Sequence, residues 1–162
     1  MNADENQKKK RLTDPQAAYL KARGYCAYQE RSQQEVRDKL YEWGMWKEAV
    51  EEIIVKLIDD NFLNEERFAI AFAGGKFRIK KWGKVKIRQA LKLKGTSDYC
   101  IKKGLAAIDY DDYLSTLREL LHQKLKQTKI KNPQQQKYKV AQYALSRGFE
   151  SNLIWDELGE VD

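Results

Sequence analysis

Apolar residues recur every three or four positions along most of the chain, a spacing that places them on one face of an α-helix. A clear example lies between residues 50 and 58, where the apolar face consists of Val50, Ile53, Ile54, Leu57 and Ile58. No alternating run is long enough to predict a sheet, and the 162 residues include only two prolines. The pattern therefore predicts an all-α protein.

Three glycines, Gly44, Gly95 and Gly148, stand 51 and 53 residues apart and share a pattern of apolar neighbours. Apolar residues occupy the positions eight and four residues before each glycine and six and ten residues after it. In chain order these residues are Val36, Leu40, Val50, Ile54, Ile87, Leu91, Ile101, Leu105, Val140, Ala144, Ile154 and Leu158. A glycine between two apolar stripes is typical of the left-handed turn that ends one helix before the next begins. The register thus predicts three helix-turn-helix pairs.

A further helix precedes each pair, over about residues 15–29, 64–79 and 110–128, and the first has Asp14 as N-cap with Pro15 behind it. We therefore expect a flexible basic arm at residues 1–13 and three three-helix repeats at residues 14–61, 62–109 and 110–162. Each repeat is too small to be stable without its neighbour. The alternative is one irregular helical bundle in which the glycine register is accidental.

Positive charge is concentrated in the second predicted repeat. The chain has 31 Lys and Arg against 24 Asp and Glu, a formal charge of +7. The first repeat has a net charge of −3, the second +8 and the third zero, with +2 in the arm. The excess therefore favours an anionic partner at the second repeat.

Within that repeat, the stretch GGKFRIKKWGKVKIRQALKLKG at residues 74–95 has nine basic residues and no acid. A helix beginning near Lys84 places Lys84, Arg88 and Lys92 on one stripe, where like charges repel unless a partner relieves them. A structural helix would more often include Glu, so the stripe favours contact with an acidic protein or a phosphate backbone. The candidate binding residues are Arg67, Lys76, Arg78, Lys80, Lys81, Trp82, Lys84, Lys86, Arg88, Lys92 and Lys94.

Two of these residues have alternative interpretations. Trp82 could stack on a nucleic-acid base, or it could be a core anchor that closes the turn between two helices. Arg67 could contact the partner, or it could pair with an acid of the first repeat.

The sequence offers no catalytic motif. It has no P-loop, dinucleotide-binding fingerprint or nucleophile elbow. Its single histidine, His122, lies on an amphipathic helix, and Cys26 and Cys100 are isolated, so we expect no enzyme, cofactor or metal site. A sequence-specific repressor is disfavoured because the third helix of the second repeat offers only Lys102 and Lys103 for reading bases. We expect a cytoplasmic protein, since no apolar segment is long enough for a membrane span or a secretory signal.

Two stretches, QERSQQEVRDKLYEWG and NFLNEERFAIAFAGGKFRIKKWGKVKIRQALKLKG, closely resemble the RecX family of bacterial recombination regulators. The matching residues are Ser32, Glu35, Lys39, Leu40, Glu66, Arg67, Phe68, Ala69, Phe72, Trp82, Gly83, Ile87, Lys94 and Gly95. Val36 replaces the usual Leu, Lys84 stands where many members have Pro, and Gly74 where a small or basic residue is common.

The resemblance implies a tandem array of three-helix repeats curved into an elongated shape. It also implies binding to the RecA recombinase filament on single-stranded DNA, in its helical groove, with limits on ATP hydrolysis, strand exchange and filament growth. Weak, sequence-independent binding to single-stranded and double-stranded DNA is expected as well. Repeats with polar ends are consistent with a monomer. The rival hypothesis is a stand-alone basic DNA-binding protein, architectural or regulatory, that contacts the phosphate backbone.

Overall fold

The computed structural model describes residues 12–159, and within that range the chain forms nine α-helices and no strand. The helices are α1 (Pro15–Tyr28), α2 (Gln33–Glu42), α3 (Lys47–Asp59), α4 (Glu65–Lys80), α5 (Lys84–Leu93), α6 (Asp98–Ala106), α7 (Tyr110–Gln127), α8 (Pro133–Ser146) and α9 (Ser151–Gly159). The predicted all-α, three-repeat fold is confirmed. Nearly all of the basic arm predicted for residues 1–13 lies outside the described residues.

Polar side chains cap the helices at the starts that the sequence favours. The first helix of each repeat begins behind a side chain that accepts a hydrogen bond of 2.8–3.0 Å from a backbone amide, and these acceptors are Asp14, Asn64 and Asp109 in turn. Ser32 and Ser97 cap α2 and α6 in the same way. A capping side chain satisfies a backbone donor that the helix itself leaves unpaired, so the repeats begin at defined residues.

The three register glycines form the predicted left-handed turns. Their φ angles are 102° at Gly44, 78° at Gly95 and 95° at Gly148. All twelve apolar residues of the shared register are buried, with at most 5% of their surface exposed. The register therefore arises from one structural unit used three times.

Contacts between residues divide the chain into two compact units, residues 1–68 and 69–162, and the boundary falls inside α4. In the first unit, α1, α2 and α3 pack against one another. Their core includes Ala18, Val36, Leu40, Leu57 and Leu63. This unit follows directly from the periodicity of its three apolar faces.

In the second unit, one aromatic cluster connects the second repeat to the third. The Phe77 ring of α4 lies 5.7 Å from the Tyr113 ring of α7, and Tyr113 lies 5.2 Å from Phe149. Tyr113 and Phe149 are among the largest fully buried side chains of the described residues. The two repeats therefore share a core, as stacked repeats do when neither buries its apolar face alone.

The end of α8 meets the start of α5 through backbone hydrogen bonds. The Gly83 N–H donates to the Arg147 carbonyl at 2.8 Å, and the Val85 N–H donates to the Gly148 carbonyl at 2.9 Å. A Cβ atom at Gly83 would lie 2.3 Å from the Gly148 backbone, closer than real atoms approach. The terminal carbonyls of one helix thus satisfy the first amides of another, and only glycine permits this approach.

Candidate nucleic-acid and partner interface

The basic stretch at residues 74–95 forms the second half of α4, a turn at residues 81–83 and α5 with its C-terminal turn. Five of its basic residues are exposed, namely Arg78, Lys80, Lys81, Arg88 and Lys92. Four others and the tryptophan are half-buried, namely Lys76, Lys84, Lys86, Lys94 and Trp82. The half-buried group is therefore positioned by local contacts, while the exposed group is open to solvent.

Trp82 holds two lysines at the surface. The Lys86 Nζ lies 4.6 Å from the centre of the Trp82 ring, and the Lys76 Nζ lies 5.0 Å from it. The Trp82 N–H donates to the Lys76 carbonyl at 3.2 Å, which fixes the turn. Ammonium groups at this range are attracted by the ring quadrupole. The half-buried ring thus has the geometry of an anchor, and it also orders two of the candidate cations.

Phe72, ten residues before Trp82, also holds two lysines. The Lys76 Nζ lies 5.4 Å from the Phe72 ring centre and the Lys94 Nζ lies 5.6 Å from it. Lys76 therefore lies close to both aromatic rings. Lysines held in this way lose less conformational freedom when a partner binds.

On α5, the predicted stripe consists of two exposed cations and one that is half-buried. Arg88 and Lys92 are exposed, while Ile87 and Leu91 on the opposite face are fully buried. The Lys84 Nζ instead lies 4.9 Å from the centre of the Tyr113 ring. The part of the stripe that solvent can reach is therefore the pair Arg88 and Lys92.

Lys84 also takes part in a polar contact with Tyr113. Its backbone N–H donates to the Tyr113 hydroxyl at 3.0 Å, and that hydroxyl donates to the Glu150 carboxylate. Burial raises the pKa of Tyr113, and the hydrogen bond to Glu150 raises this pKa further. The neutral phenol is thus the form that joins α7 to the start of α5.

Arg67, at the start of α4, pairs with an acid of the first repeat, which is the second of the two roles that its sequence context left open. Its Nε lies 2.5 Å from the Glu30 carboxylate, and its Nη2 donates to the Asn61 carbonyl at 3.0 Å. Asn61 has a left-handed φ of 63°. Arg67 therefore connects α4 to the α1–α2 and α3–α4 connections through paired contacts.

Arg78 lies back along its own helix. A Cβ atom at Gly74 would lie 2.7 Å from the Arg78 guanidinium, so the glycine makes room for this side chain. Arg78 lines the same groove as Asp109 and Asp112. These two acids offset part of the positive charge of Arg78. Arg88 and Lys92 on α5 do not line this groove.

Two cations of the third repeat, Arg147 and Lys124, are not among the binding residues predicted from the sequence. The Arg147 guanidinium donates to the Lys80 carbonyl, at the end of α4. The Lys124 Nζ lies 4.4 Å from the centre of the Tyr143 ring. They were not singled out because the third repeat has no net charge. The signal that could have identified Arg147 is its position directly before the register glycine Gly148.

Three further observations in residues 12–159 concern metal clusters, cysteines and membrane spans. No group of three or more His, Cys, Asp or Glu side chains in that range could hold a metal ion. Cys26 and Cys100 are free, buried thiols, and burial raises the pKa of Cys26 to about 11. None of the described helices is both long enough and apolar enough to cross a membrane.

These features define a class, the helical-repeat proteins whose repeats turn at glycines and present a cationic face. Models of the RecX family match its first three-helix domain to residues 18–57, its second to residues 64–105 and its third to residues 111–158. The chain therefore belongs to the RecX family.

Individual relatives agree with this assignment. The chain is 31% identical over 150 residues to a Regulatory protein RecX of Prosthecochloris aestuarii, covering 92% of this chain and 96% of the relative. It is 27% identical to that of Bacillus mycoides, covering 86% of this chain and 52% of the relative. The chain thus spans about half the length of the Bacillus relative. The crystal structure of RecX from Lactobacillus salivarius has the same fold, with a TM-score of 0.83, 24% identity and coverage of 91% of this chain and 96% of that one.

Proposed function

We propose that this protein is a non-catalytic regulator that binds the RecA recombinase filament on single-stranded DNA and limits its ATP hydrolysis, strand exchange and growth. The observation that supports this most is a nine-cation, acid-free segment in a RecX chain, folded as the end of α4 and α5. The relatives named Regulatory protein RecX support the coarser part of this proposal, a regulatory role. The protein would act as a cytoplasmic monomer without a cofactor.

The physical basis is electrostatic attraction combined with ordered side chains. Clustered cations raise the rate of encounter with an anionic filament and bring the protein close to DNA phosphates. Lys76 and Lys86, held at the Trp82 ring, would bind with a smaller loss of side-chain entropy than free lysines. Exposed Arg88 and Lys92 would make the outermost contacts.

The proposal predicts that Arg88→Glu with Lys92→Glu weakens inhibition of single-stranded-DNA-dependent ATP hydrolysis by the host's own recombinase. Reversing two contacting cations should raise the half-inhibitory concentration by about ten-fold. Lys129→Glu with Lys131→Glu is the matched control, because it changes the net charge equally at exposed residues of the α7–α8 connection. Circular dichroism and thermal melting establish that both variants stay folded. Equal inhibition by the two variants would mean that the α4–α5 surface does not face the filament.

The rival function, a stand-alone DNA-binding protein, is favoured by the same cationic surface. It predicts submicromolar affinity for bare DNA at about 150 mM salt, with a steep dependence of log K on log salt. It also predicts that the recombinase ATPase is unchanged. That combination of results would replace the regulatory proposal.

A further inference from the structure

A cavity lies between α7 and α8, close to the turn that follows α4. Its volume is about 230 Å³. Lys81 contributes from the α4–α5 turn, Glu119 and Lys124 from α7, and Tyr143 and Arg147 from α8 and its C-terminal end. The cavity lies wholly within the compact unit of residues 69–162.

The charge of this cavity is positive. Lys81, Lys124 and Arg147 are its cationic lining residues, and Glu119 is the one carboxylate among the described residues that line it. The Gln123 amide donates to the Glu119 carboxylate at 3.4 Å, and the amide of Gln127 also lines the cavity. Three cations lining one cavity suit an anionic oxygen group better than a neutral ligand.

Lys81 occupies its place at a conformational cost. Its φ is 57°, in the left-handed region, and its N–H donates to the Phe77 carbonyl at 3.1 Å as α4 ends. The register glycines adopt positive φ without this cost, whereas lysine disfavours it. Non-glycine residues retained in such conformations are often found at binding sites. The strained backbone places a lysine, rather than a glycine, at the cavity.

Arg147 has an unused donor. Its guanidinium donates through Nη2 to the Lys80 carbonyl, but its Nε is buried and finds no hydrogen-bond partner within residues 12–159. A buried N–H without an acceptor is costly. An oxygen ligand bound beside Arg147 would offer an acceptor to this side chain.

We propose that this cavity binds one phosphate group of a nucleic-acid backbone, so that the electrically neutral third repeat contributes to DNA contact. Lys81 belongs both to the cavity and to the basic segment of residues 74–95, so a strand lying along that segment would reach the cavity without a gap. This continuity favours a phosphodiester over a free anion. The proposal rests on the proposed DNA-bound filament as the source of the strand.

The test compares two lysines of α7 in the full-length protein. Lys124→Gln removes a cation of the cavity, while Lys126→Gln removes an exposed one that does not line it. Binding of a fluorescent oligothymidylate is measured by anisotropy over a range of salt concentrations. Loss of one phosphate contact on a single strand lowers the salt slope by about 0.7, or about four-fold in affinity near 150 mM salt. We expect this change for Lys124→Gln and a smaller one for Lys126→Gln; equal changes would overturn the proposal.

Two further variants separate binding from folding. Lys81→Gly should weaken oligothymidylate binding to a similar extent without lowering the urea unfolding midpoint, because glycine relieves the left-handed strain. Glu119→Gln should strengthen binding because it removes a carboxylate that repels phosphate. Full binding by the Lys81→Gly variant, or weaker binding by a folded Glu119→Gln variant, would contradict the proposed site.

The source of the anion is tested by NMR of the Arg147 Nε–H signal. Oligothymidylate and inorganic phosphate should both shift this signal, the oligonucleotide at lower concentration. A shift with poly-glutamate but none with oligothymidylate would assign the cavity to an acidic protein segment instead and overturn the proposal. The recombinase ATPase assay depends neither on oligothymidylate binding nor on the Arg147 NMR signal. Normal inhibition together with an unshifted Arg147 signal would reject the cavity while leaving the regulatory function intact.

Discussion

Single glycines have opposite structural roles in this chain, and the space around each one determines which role it has. A Cβ atom at Gly83 would lie 2.3 Å from the Gly148 backbone, whereas a Cβ atom at Gly75, inside α4, would meet nothing within 4 Å. Gly83 is required by close backbone approach. Gly75 only adds conformational freedom to the unfolded chain.

We therefore expect Gly83→Ala and Gly75→Ala to change the free energy of unfolding in opposite directions. Gly83→Ala should lower it by about 1–3 kcal/mol, since the backbone atoms it meets cannot rotate away. Gly75→Ala should raise it by about 0.5–1 kcal/mol, as alanine does inside a helix. Urea unfolding measures both. A Gly83→Ala protein as stable as the parent would show that α5 and α8 are not packed this closely in solution.

The sequence predicted the structural role of the three turn glycines but not that of Gly83, and the reason is physical. Gly44, Gly95 and Gly148 were predicted because a left-handed turn is local and leaves apolar neighbours at fixed offsets. Gly83 was noted only within the basic stretch and among the residues of the RecX resemblance, because its partner lies 65 residues further along the chain. Close approach between distant residues leaves no periodic signal in the sequence.

At the scale of elements, Tyr113 contacts three of them, two through its hydroxyl group and one through its ring. It accepts from the Lys84 N–H at the start of α5 and donates to Glu150, just before α9, while its ring packs against Phe77 of α4. The bounds of the first helix of each repeat and the Asp14 cap were predicted closely because capping is local. The half-buried position of Lys84 was not predicted, because it depends on the buried ring of Tyr113, 29 residues further along the chain.

The raised pKa of Tyr113 predicts a specific loss of stability in alkali. The unfolded phenol ionises near pH 10, while the folded one keeps its proton at that pH. The stabilising contribution is therefore complete below about pH 10 and decreases above it by about 1.4 kcal/mol per pH unit. Tyr113→Phe lacks this ionisation, so the stability gap between the parent and this variant should narrow between pH 9 and pH 11.

Urea unfolding at pH 9 and pH 11 measures this stability gap. Titrations of other groups contribute equally to the parent and to Tyr113→Phe, so they cancel in the difference. Tyr99→Phe is the control for loss of a phenol hydroxyl, since Tyr99 is 63% exposed. Parallel pH curves for the parent and Tyr113→Phe would mean that this phenol ionises equally in the folded and unfolded chain.

At the scale of the whole molecule, charge and repeat number could be predicted because both are sums over sequence. The second repeat was identified as the cationic one from composition alone. The cavity beside Arg147 could not be, because its cations come from the α4–α5 turn, α7 and the C-terminal end of α8, and Lys124 and Arg147 belong to a repeat that is neutral overall. Sequence patterns thus favoured an anionic partner at the second repeat, and the fold brings cations of the second and third repeats to one cavity.

The shared core of residues 69–162 predicts that the second and third repeats lose structure together. The Arg118 guanidinium pairs with Glu157 through two hydrogen bonds of 2.7 and 3.0 Å, both within the third repeat. Arg118→Gln leaves the nearly buried Glu157 carboxylate without its cationic partner, which should lower stability by about 1–3 kcal/mol. Because the Arg147 and Gly148 carbonyls accept hydrogen bonds from the Gly83 and Val85 amides, opening of α8 removes the acceptors at the start of α5.

Native-state hydrogen exchange measures this coupling residue by residue. In the Arg118→Gln protein, the most protected amides of α5 should lose as much protection as those of α8, although Arg118 belongs to α7. Glu119→Gln, one residue further along α7, is the control, since Glu119 is exposed and does not take part in the Arg118–Glu157 pair. Loss confined to α7, α8 and α9 would mean that the second repeat is stable by itself, and that the aromatic cluster adds packing without making the two repeats one cooperative unit.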